Sequence, residues 1–532
     1  MDTFLRIHRV LMGVEFLNLL IVLKEQYVKL SKYKGVYSPN IFAFLFRRES
    51  FMRTIDYKKF ILPLLFGLIF WFTTPIRPAG VSVQAWHMLA IFIGTIVGCI
   101  TLPIAISGVT LIGFTLTICL GLAPLADKVV NGKIVAKGAI DAFANSSAWL
   151  IVMAFMISRG IVKTGLGQRI ALYFVKWFGH KSLGLGYAIG AIDLIVSPAT
   201  PSNGARAGGV VYPLIQSLAN TFDSKPNDPS RKKMGAYLTF TEFQVNIITS
   251  SLFMTACAPN LIAVALAGKA GVTLSWMPWL TASIVPAAIC LLVVPYFVYK
   301  LYPPEIKETP NAKEWADGEL AKMGKLTLSE KLMAVIFAIT LVLWMLSSTL
   351  GIDATLIAFI SVSLLLLTGV LAPKDLLSET GAWNILIWLS ILVFMAEKLT
   401  QFGLIGWIST SISSAMKGLN WLLVLVVLAL VLFYTHYLFA SATAHNSAMY
   451  LPLLTVAISA GAPKLLAAQF LALFSAIMGS TTHYSSPAAS VLASSGYVKQ
   501  NEWWKLSFIF GIFYILVYGI IGLAWMKLIG MW

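Results

Sequence analysis

The feature that most restricts this chain is the recurrence, from one end to the other, of apolar runs about as long as a bilayer is thick. A helix rises about 1.5 Å per residue, so a membrane crossing takes about 20 apolar residues. Runs of this kind occur at Leu332 to Leu350, Trp279 to Tyr299 and Leu506 to Met526. Composition agrees: of 532 residues 58% are hydrophobic, 11% are charged, and mean hydropathy is +0.83. Backbone groups in lipid must be paired inside each segment, and the runs far exceed the roughly ten residues of a barrel strand. The expected fold class is therefore an all-α polytopic membrane protein.

A net charge of +17 would suit a nucleic-acid partner, but Lys and Arg sit in the connections between apolar runs, where membrane topology accounts for them. No nucleic-acid partner is expected. The four cysteines, Cys99, Cys119, Cys257 and Cys290, lie in apolar segments without metal-type spacing and read as packing residues. Residues 1–54 form an N-terminal extension, interfacial or weakly structured; Leu11 to Leu23 is apolar but short and lacks a small-residue cleavage site.

Period and breakers place eleven transmembrane helices near 58–75, 83–102, 105–123, 144–162, 236–267, 278–300, 333–350, 354–371, 383–399, 466–494 and 506–529. Two further stretches, 182–219 and 420–459, are broken by small polar residues at Ser197 to Gly204 and at Ser441 to Thr443, and read as re-entrant hairpins. Lys and Arg cluster at 159–181, 225–233 and 300–331, so these connections are expected in the cytoplasm. The first hairpin then enters from the cytoplasm and the second from outside, with the N-terminus inside and Trp532 outside. The halves also resemble each other. Ala148-Trp149 recurs as Ala382-Trp383, and Ser202 with Pro213-Leu214 recurs at the same spacing as Ser441 with Pro452-Leu453. An inverted repeat follows, with a first half at 55–300, a cytoplasmic linker at 301–332 and a second half at 333–532. Secondary transporters are built on this plan.

Broken helices in a membrane are tolerated where the loosened backbone is buried or lines a cavity, so the hairpin tips and two broken spans are the expected binding site. Ser202, Asn203 and Gly204 form the first tip; Ser441, Ala442 and Thr443 form the second. The broken spans contribute Thr249 and Ser250, and Thr481 and Thr482. A capped helix N-terminus carries free N–H groups and roughly half a positive charge, which suits a carboxylate. Two such tips facing each other suit an anion with a carboxylate at each end. Arg206 is a candidate for charge compensation toward substrate or in place of a cation, or else pairs with Glu242 or Asp193. His445 and His483 are further candidates, with structural hydrogen bonding as the plainer role. Histidine spacing fits no metal motif, and no nucleophile elbow, phosphate loop or dinucleotide fingerprint occurs in a suitable context, so neither a metal site nor an enzyme is expected.

Ser202-Asn203-Gly204-Ala-Arg-Ala-Gly-Gly and Phe439-Ala-Ser441-Ala-Thr443-Ala-His445 resemble the paired Ser-Asn-Thr signatures of the divalent anion:sodium symporter family. Ala144-Asn-Ser-Ser-Ala-Trp-Leu-Ile-Val-Met-Ala-Phe, Lys163-Thr-Gly-Leu-Gly and Thr482-His483-Tyr484 resemble its citrate/succinate and 2-oxoglutarate/malate exchanger branch. The resemblance covers roughly residues 55–532. It implies a homodimer in the bacterial cytoplasmic membrane, an elevator-type mechanism, and a di- or tricarboxylate held between the tips. Gly204 stands where the first signature has Thr, and Ala442 where the second has Asn. Loss of these side-chain oxygens points to exchange without sodium. The alternatives are a sodium-coupled dicarboxylate symporter and an integral-membrane enzyme.

Overall fold

The computed structural model describes residues 57–532, apart from 131–132, 405, 409–410, 412–419 and 440. The expectation for residues 1–54 lies outside the described residues. In chain order the first half comprises α1 (Ile61–Phe72), α2 (Val83–Thr101), α3 (Ile106–Cys119), strands β1 (Lys128–Val130) and β2 (Lys133–Ala136), α4 (Ser146–Thr164), α5 (Leu166–Phe178) and α6 (Ser182–Val196). It continues with α7 (Asn203–Arg206), α8 (Tyr212–Thr221), α9 (Gly235–Leu252), α10 (Ala258–Lys269) and α11 (Trp276–Leu301). After α12 (Asn311–Met323), the second half comprises α13 (Leu328–Leu350), α14 (Ala354–Leu367), α15 (Pro373–Ser378), α16 (Thr380–Gln401), α17 (Trp421–Thr435) and α18 (Ala442–Ser459). It ends with α19 (Lys464–Ile477), α20 (Pro487–Ser494), α21 (Gln500–Leu516) and α22 (Leu523–Leu528).

Among the described residues, eight helices are long and apolar enough to cross a membrane: Val83–Thr101, Ser146–Thr164, Ser182–Ala199, Trp276–Leu301, Leu328–Leu350, Thr380–Gln401, Trp421–Leu438 and Gln500–Leu528. Shorter apolar helices lie at Ile106–Cys119, Ala354–Leu367 and Lys464–Ser480. Helix starts follow local chemistry. Ser82 accepts from the Ala85 amide at 3.1 Å, Asn145 from that of Ala148 at 3.0 Å and Asp353 from that of Thr355 at 2.8 Å. Thr327 and Glu330 close a reciprocal capping box. Helices α4 and α13 stop at Gly165 and Gly351, whose φ angles of +77° and +66° favour a residue without Cβ.

Val335, Ile339, Val342 and Leu346 lie along one face of α13 and are all exposed, as are Leu62, Leu65 and Ile69 on α1. Apolar side chains at helical spacing on the outer surface form the lipid-facing belt that the composition requires. The interior has the opposite character. Every residue of α9 is buried, including Thr239, Thr241, Glu242, Gln244 and Asn246. Of these groups, the Asn246 amide donates to Asp193 at 3.2 Å and the Gln244 side-chain carbonyl oxygen accepts from Tyr514 at 2.9 Å, whereas the hydroxyls of Thr239 and Thr241 and both oxygens of Glu242 are buried without a hydrogen-bond partner.

Among the described residues the fold is helical apart from one two-stranded ribbon, in which β1 and β2 pair antiparallel with Val130 opposite Lys133. The strands are three and four residues long, too short to compete with the apolar runs as a sequence signal. The basic connections at 159–181 and 301–332 contain helices, α5 and α12. On α5, Leu166, Ala171, Leu172 and Val175 are buried, so its apolar stripe packs inward although the segment is too charged to be read as a span.

The basic connections form one face tied by ion pairs. Arg169 holds Glu330 through two bonds of 2.6 and 3.2 Å, Lys163 meets Asp375 at 2.5 Å, and Arg231 holds Glu502 at 2.8 and 2.9 Å. Asp375 is outside the apolar helices, and the Lys163 ammonium holds its carboxyl below the usual aspartate range, helped by the Ala372 amide.

Candidate functional site

The two tips are built alike. Helix α6 tightens into a 3-10 turn at Ser197–Ala199, the chain extends, and Ser202 caps α7 by accepting from the Ala205 amide at 3.2 Å. Helix α17 tightens into a 3-10 turn at His436–Leu438, and Ser441 caps α18 by accepting from the Ala444 amide at 3.3 Å. Both serines have extended backbones, with φ of −99° and −146°. The hydroxyls of Ser441 and Thr443 are 2.7 Å apart. The first amides after each cap, at Asn203 and Gly204 and at Ala442 and Thr443, have no partner within their own helices. Ser202, Ser441 and Thr443 are half-buried, whereas Asn203, Gly204 and Ala442 are buried.

The broken spans run from α9 to α10 and from α19 to α20. Phe253 and Cys257 are extended, and Pro259 stands inside the start of α10. Ser486 is extended, caps α20 through the Ala489 amide at 3.1 Å, and precedes Pro487. Proline at a helix start lacks only an N–H that would be unpaired there.

Each tip leans on the broken span of the other half. A Cβ on Gly204 would lie 2.5 Å from Cβ of Pro487 and 3.2 Å from its carbonyl carbon. The amide of Asn446, on α18, donates to the Pro259 carbonyl at 2.7 Å. Gly204 is thus explained by a close approach that sequence spacing could not show.

Each tip is also fastened to the broken span of its own half by a basic side chain. Arg206 is fully buried: Nε donates to Asp193 at 2.7 Å, and one terminal nitrogen donates to the carbonyls of Thr200 and Ala256, each at 3.0 Å. The other terminal nitrogen reaches the Asn246 carbonyl at 3.3 Å, the Thr249 hydroxyl at 3.2 Å and the Ser250 hydroxyl at 3.0 Å. Thr249 in turn donates to the second oxygen of Asp193. Of the partners considered from sequence, Asp193 is the one engaged. Glu242 lies beside Asp193, and both of its carboxyl oxygens are buried without a hydrogen-bond partner. In the second half, Nε2 of His436 lies 2.8 Å from the Ser485 carbonyl.

Thr249 and Ser250 therefore brace the first tip, with their hydroxyls committed to the Arg206 cage. The Thr481 hydroxyl donates to the Met478 carbonyl at 3.0 Å, whereas the buried hydroxyls of Thr482 and Ser480 have no partner. His445 is fully buried, within 3.0 Å of the Thr435 hydroxyl and 3.2 Å of Met478 sulfur, and stacks on His436. His483 accepts from the Trp504 indole at 2.9 Å, on the side toward α21. Asn446 was missed by sequence reasoning; a polar residue one turn beyond Ser441 was the available signal. Among the described residues no cluster of His, Cys, Asp or Glu could hold a metal ion.

Residues 55–532 match the model of the sodium:sulfate symporter transmembrane region. The transporter YflS of Bacillus subtilis is 45% identical over 477 residues, covering 89% of this chain and 97% of that protein. Dicarboxylate transporter 1 of spinach chloroplasts is 41% identical, covering 89% of this chain and 82% of that protein. The citrate/succinate antiporter of Escherichia coli is 36% identical, covering 89% and 98%. Among solved structures, the YdaH transporter of Alcanivorax borkumensis aligns at a TM-score of 0.50 and 12% identity, covering 79% of this chain and 97% of that one, a likeness of fold.

Proposed function

This chain belongs to the family defined by the sodium:sulfate symporter transmembrane region and is a multi-pass membrane transporter, and from that premise we propose that it exchanges C4 and C5 dicarboxylates such as succinate, malate, fumarate and 2-oxoglutarate across a bacterial cytoplasmic membrane, without sodium. The carrying observation is the pair of Ser-capped helix starts, each seated against the other half's broken span. A carboxylate at the first tip would take the free amides of Asn203 and Gly204 and the Ser202 hydroxyl. The second would take the amides of Ala442 and Thr443 and the Ser441 hydroxyl. Each hydrogen bond to a charged oxygen contributes roughly 1.5–3 kcal/mol. The relatives named for dicarboxylate and for citrate/succinate transport favour the same ligand class, and citrate or tartrate falls within it.

The Arg206 cage supports the absence of sodium coupling. Carbonyl and hydroxyl oxygens and the Asp193 carboxylate surround its guanidinium as they would surround a hard cation, so the oxygens that a cation would need at the first tip are already committed. Gly204 and Ala442 add no further side-chain oxygen. A carrier that crosses only when loaded needs no ion gradient.

For topology we infer two opposed re-entrant hairpins at 182–219 and 420–459 with eleven crossings in an inverted repeat, the basic face in the cytoplasm, the N-terminus inside and the C-terminus outside. The halves are 55–300 and 333–532, joined by 301–332. The rings of Trp149 and Trp383, equivalent by sequence, meet edge to face at 6.4 Å, as residues beside a two-fold axis would. An elevator-type movement of the tips and broken spans in a homodimer completes the reading.

The family's description favours a second reading, sodium symport. Labelled succinate or 2-oxoglutarate uptake into proteoliposomes separates the two. Exchange requires an internal dicarboxylate and ignores sodium; uptake that requires sodium and ignores internal substrate refutes it. Sulfate belongs in the same counter-substrate panel.

A further inference from the structure

At the face away from the basic connections, a cavity of about 220 Å³ lies between the end of α10, the far end of α16 and the segment that leads into α4. Pockets for drug-sized ligands measure roughly 300–1,000 Å³, so this smaller space suits a small molecule. Lys398 borders it from α16 and is only 5% exposed. The Lys398 ammonium donates to the Gln401 side chain at 3.1 Å and lies over the Phe394 ring at 5.4 Å. Among the described residues no carboxylate is within ion-pair distance of it, and its neighbour Glu397 is already taken by Lys269, on α10. Two turns earlier on α16, the fully buried Ser390 hydroxyl also borders the cavity and has no hydrogen-bond partner.

A buried ammonium with no carboxylate partner and a buried hydroxyl with no partner at all call for an occupant. An ammonium near a helix end ordinarily extends into water, yet this one turns into the cavity. A buried ammonium without an acidic partner is expensive. Lys269 and exposed Lys137 add positive charge at the rim, against Glu397 and exposed Asp141. The sum over these five is one positive charge. Asn145, the cap of α4, also borders the cavity, so the positive end of a 19-residue helix faces the same space.

We propose that this cavity is a second anion site that binds a small carboxylate, with one carboxylate group between the Lys398 ammonium and the Ser390 hydroxyl. The remainder of the anion extends toward Lys269 and Lys137. The ion pair between Lys269 and Glu397 joins α10, part of a broken span, to α16. An anion drawn to Lys269 competes with Glu397 and loosens that tie, so occupancy at this face bears on how readily α10 shifts against α16. The proposal does not depend on what the tips bind.

The test is calorimetric titration of the purified full chain with malate, beside native mass spectrometry of the same preparation. Wild type binds malate at two classes of site. Lys398→Gln and, separately, Lys269→Gln weaken one class by about ten-fold or more, whereas Ser202→Ala and Ser441→Ala leave that class unchanged. Lys269→Gln alters a partly exposed side chain and keeps the test open should the buried substitution unfold the protein. Lys398→Arg, which keeps the charge, retains the site. Malate binding that both Lys variants leave untouched, or that Ser202→Ala and Ser441→Ala abolish entirely, overturns the proposal. So does a phospholipid that wild type retains, Lys398→Gln loses and malate fails to displace, since a lipid headgroup would then be the occupant.

Discussion

Removing the Arg206 guanidinium gives the sharpest test of how the first tip is held. Arg206→Met deletes the donors now directed at Asp193, at the carbonyls of Thr200, Ala256 and Asn246, and at the hydroxyls of Thr249 and Ser250. Arg206 and Asp193 are both fully buried, so the carboxylate is left charged in a dry interior. Breaking such a pair from one side costs about 3–5 kcal/mol, whereas removing both charges together costs much less. The expected series in detergent is a large loss for Arg206→Met and partial recovery for Arg206→Met with Asp193→Asn. Arg206→Lys should fall between, since three donors on one nitrogen cannot reach acceptors arranged for a planar fork. Chemical unfolding followed by tryptophan fluorescence gives the free energies, and succinate exchange in proteoliposomes shows whether the tip survives. A loss below about 1 kcal/mol for Arg206→Met, the level of an exposed pair, would refute the cage. So would a double variant no better than the single one.

Four further outcomes are expected. Ser202→Ala and Ser441→Ala each remove a helix cap, worth about 1 kcal/mol, and a hydrogen bond to the carboxylate, so the apparent affinity for succinate should fall about ten-fold or more; unchanged affinity in both would remove the tips from the site. Gly204→Ala should cost about 1–3 kcal/mol by overpacking against Pro487, read as a lower Tm together with slower exchange. Glu242→Gln gives Asp193 an amide donor where a carboxyl with unpartnered oxygens now stands, so its Tm should equal or exceed that of wild type. Asp375 has its carboxyl held low by Lys163, so the contribution of this pair is present above the ordinary aspartate value of about 3.9 and is lost as pH falls through the lowered one; the Tm difference between wild type and Asp375→Asn should close in acid and shrink in salt.

Much of the architecture was legible because bilayer thickness and backbone pairing leave few choices for runs as apolar as Leu332 to Leu350. The breaks at Ser197 to Gly204 and Ser441 to Thr443 were legible because proline, serine and small residues interrupt such runs for identifiable reasons. Helix α5 was hidden because Arg169 and Lys176 dilute its apolar stripe, and β1 and β2 because seven residues carry little pattern. The roles of Thr249 and Ser250 were not legible either. Their partner Arg206 is more than forty residues away in sequence, and only tertiary structure decides whether a hydroxyl faces a ligand or a guanidinium. Gly204 stood out as a departure from a signature, but its cause is Pro487, in the other half of the chain.

That contact and the bond from Asn446 to Pro259 both cross between the halves. Each half therefore seats its tip partly against the other half's broken span. Cut in the 301–332 connection, the gene should yield two polypeptides that function only when made together.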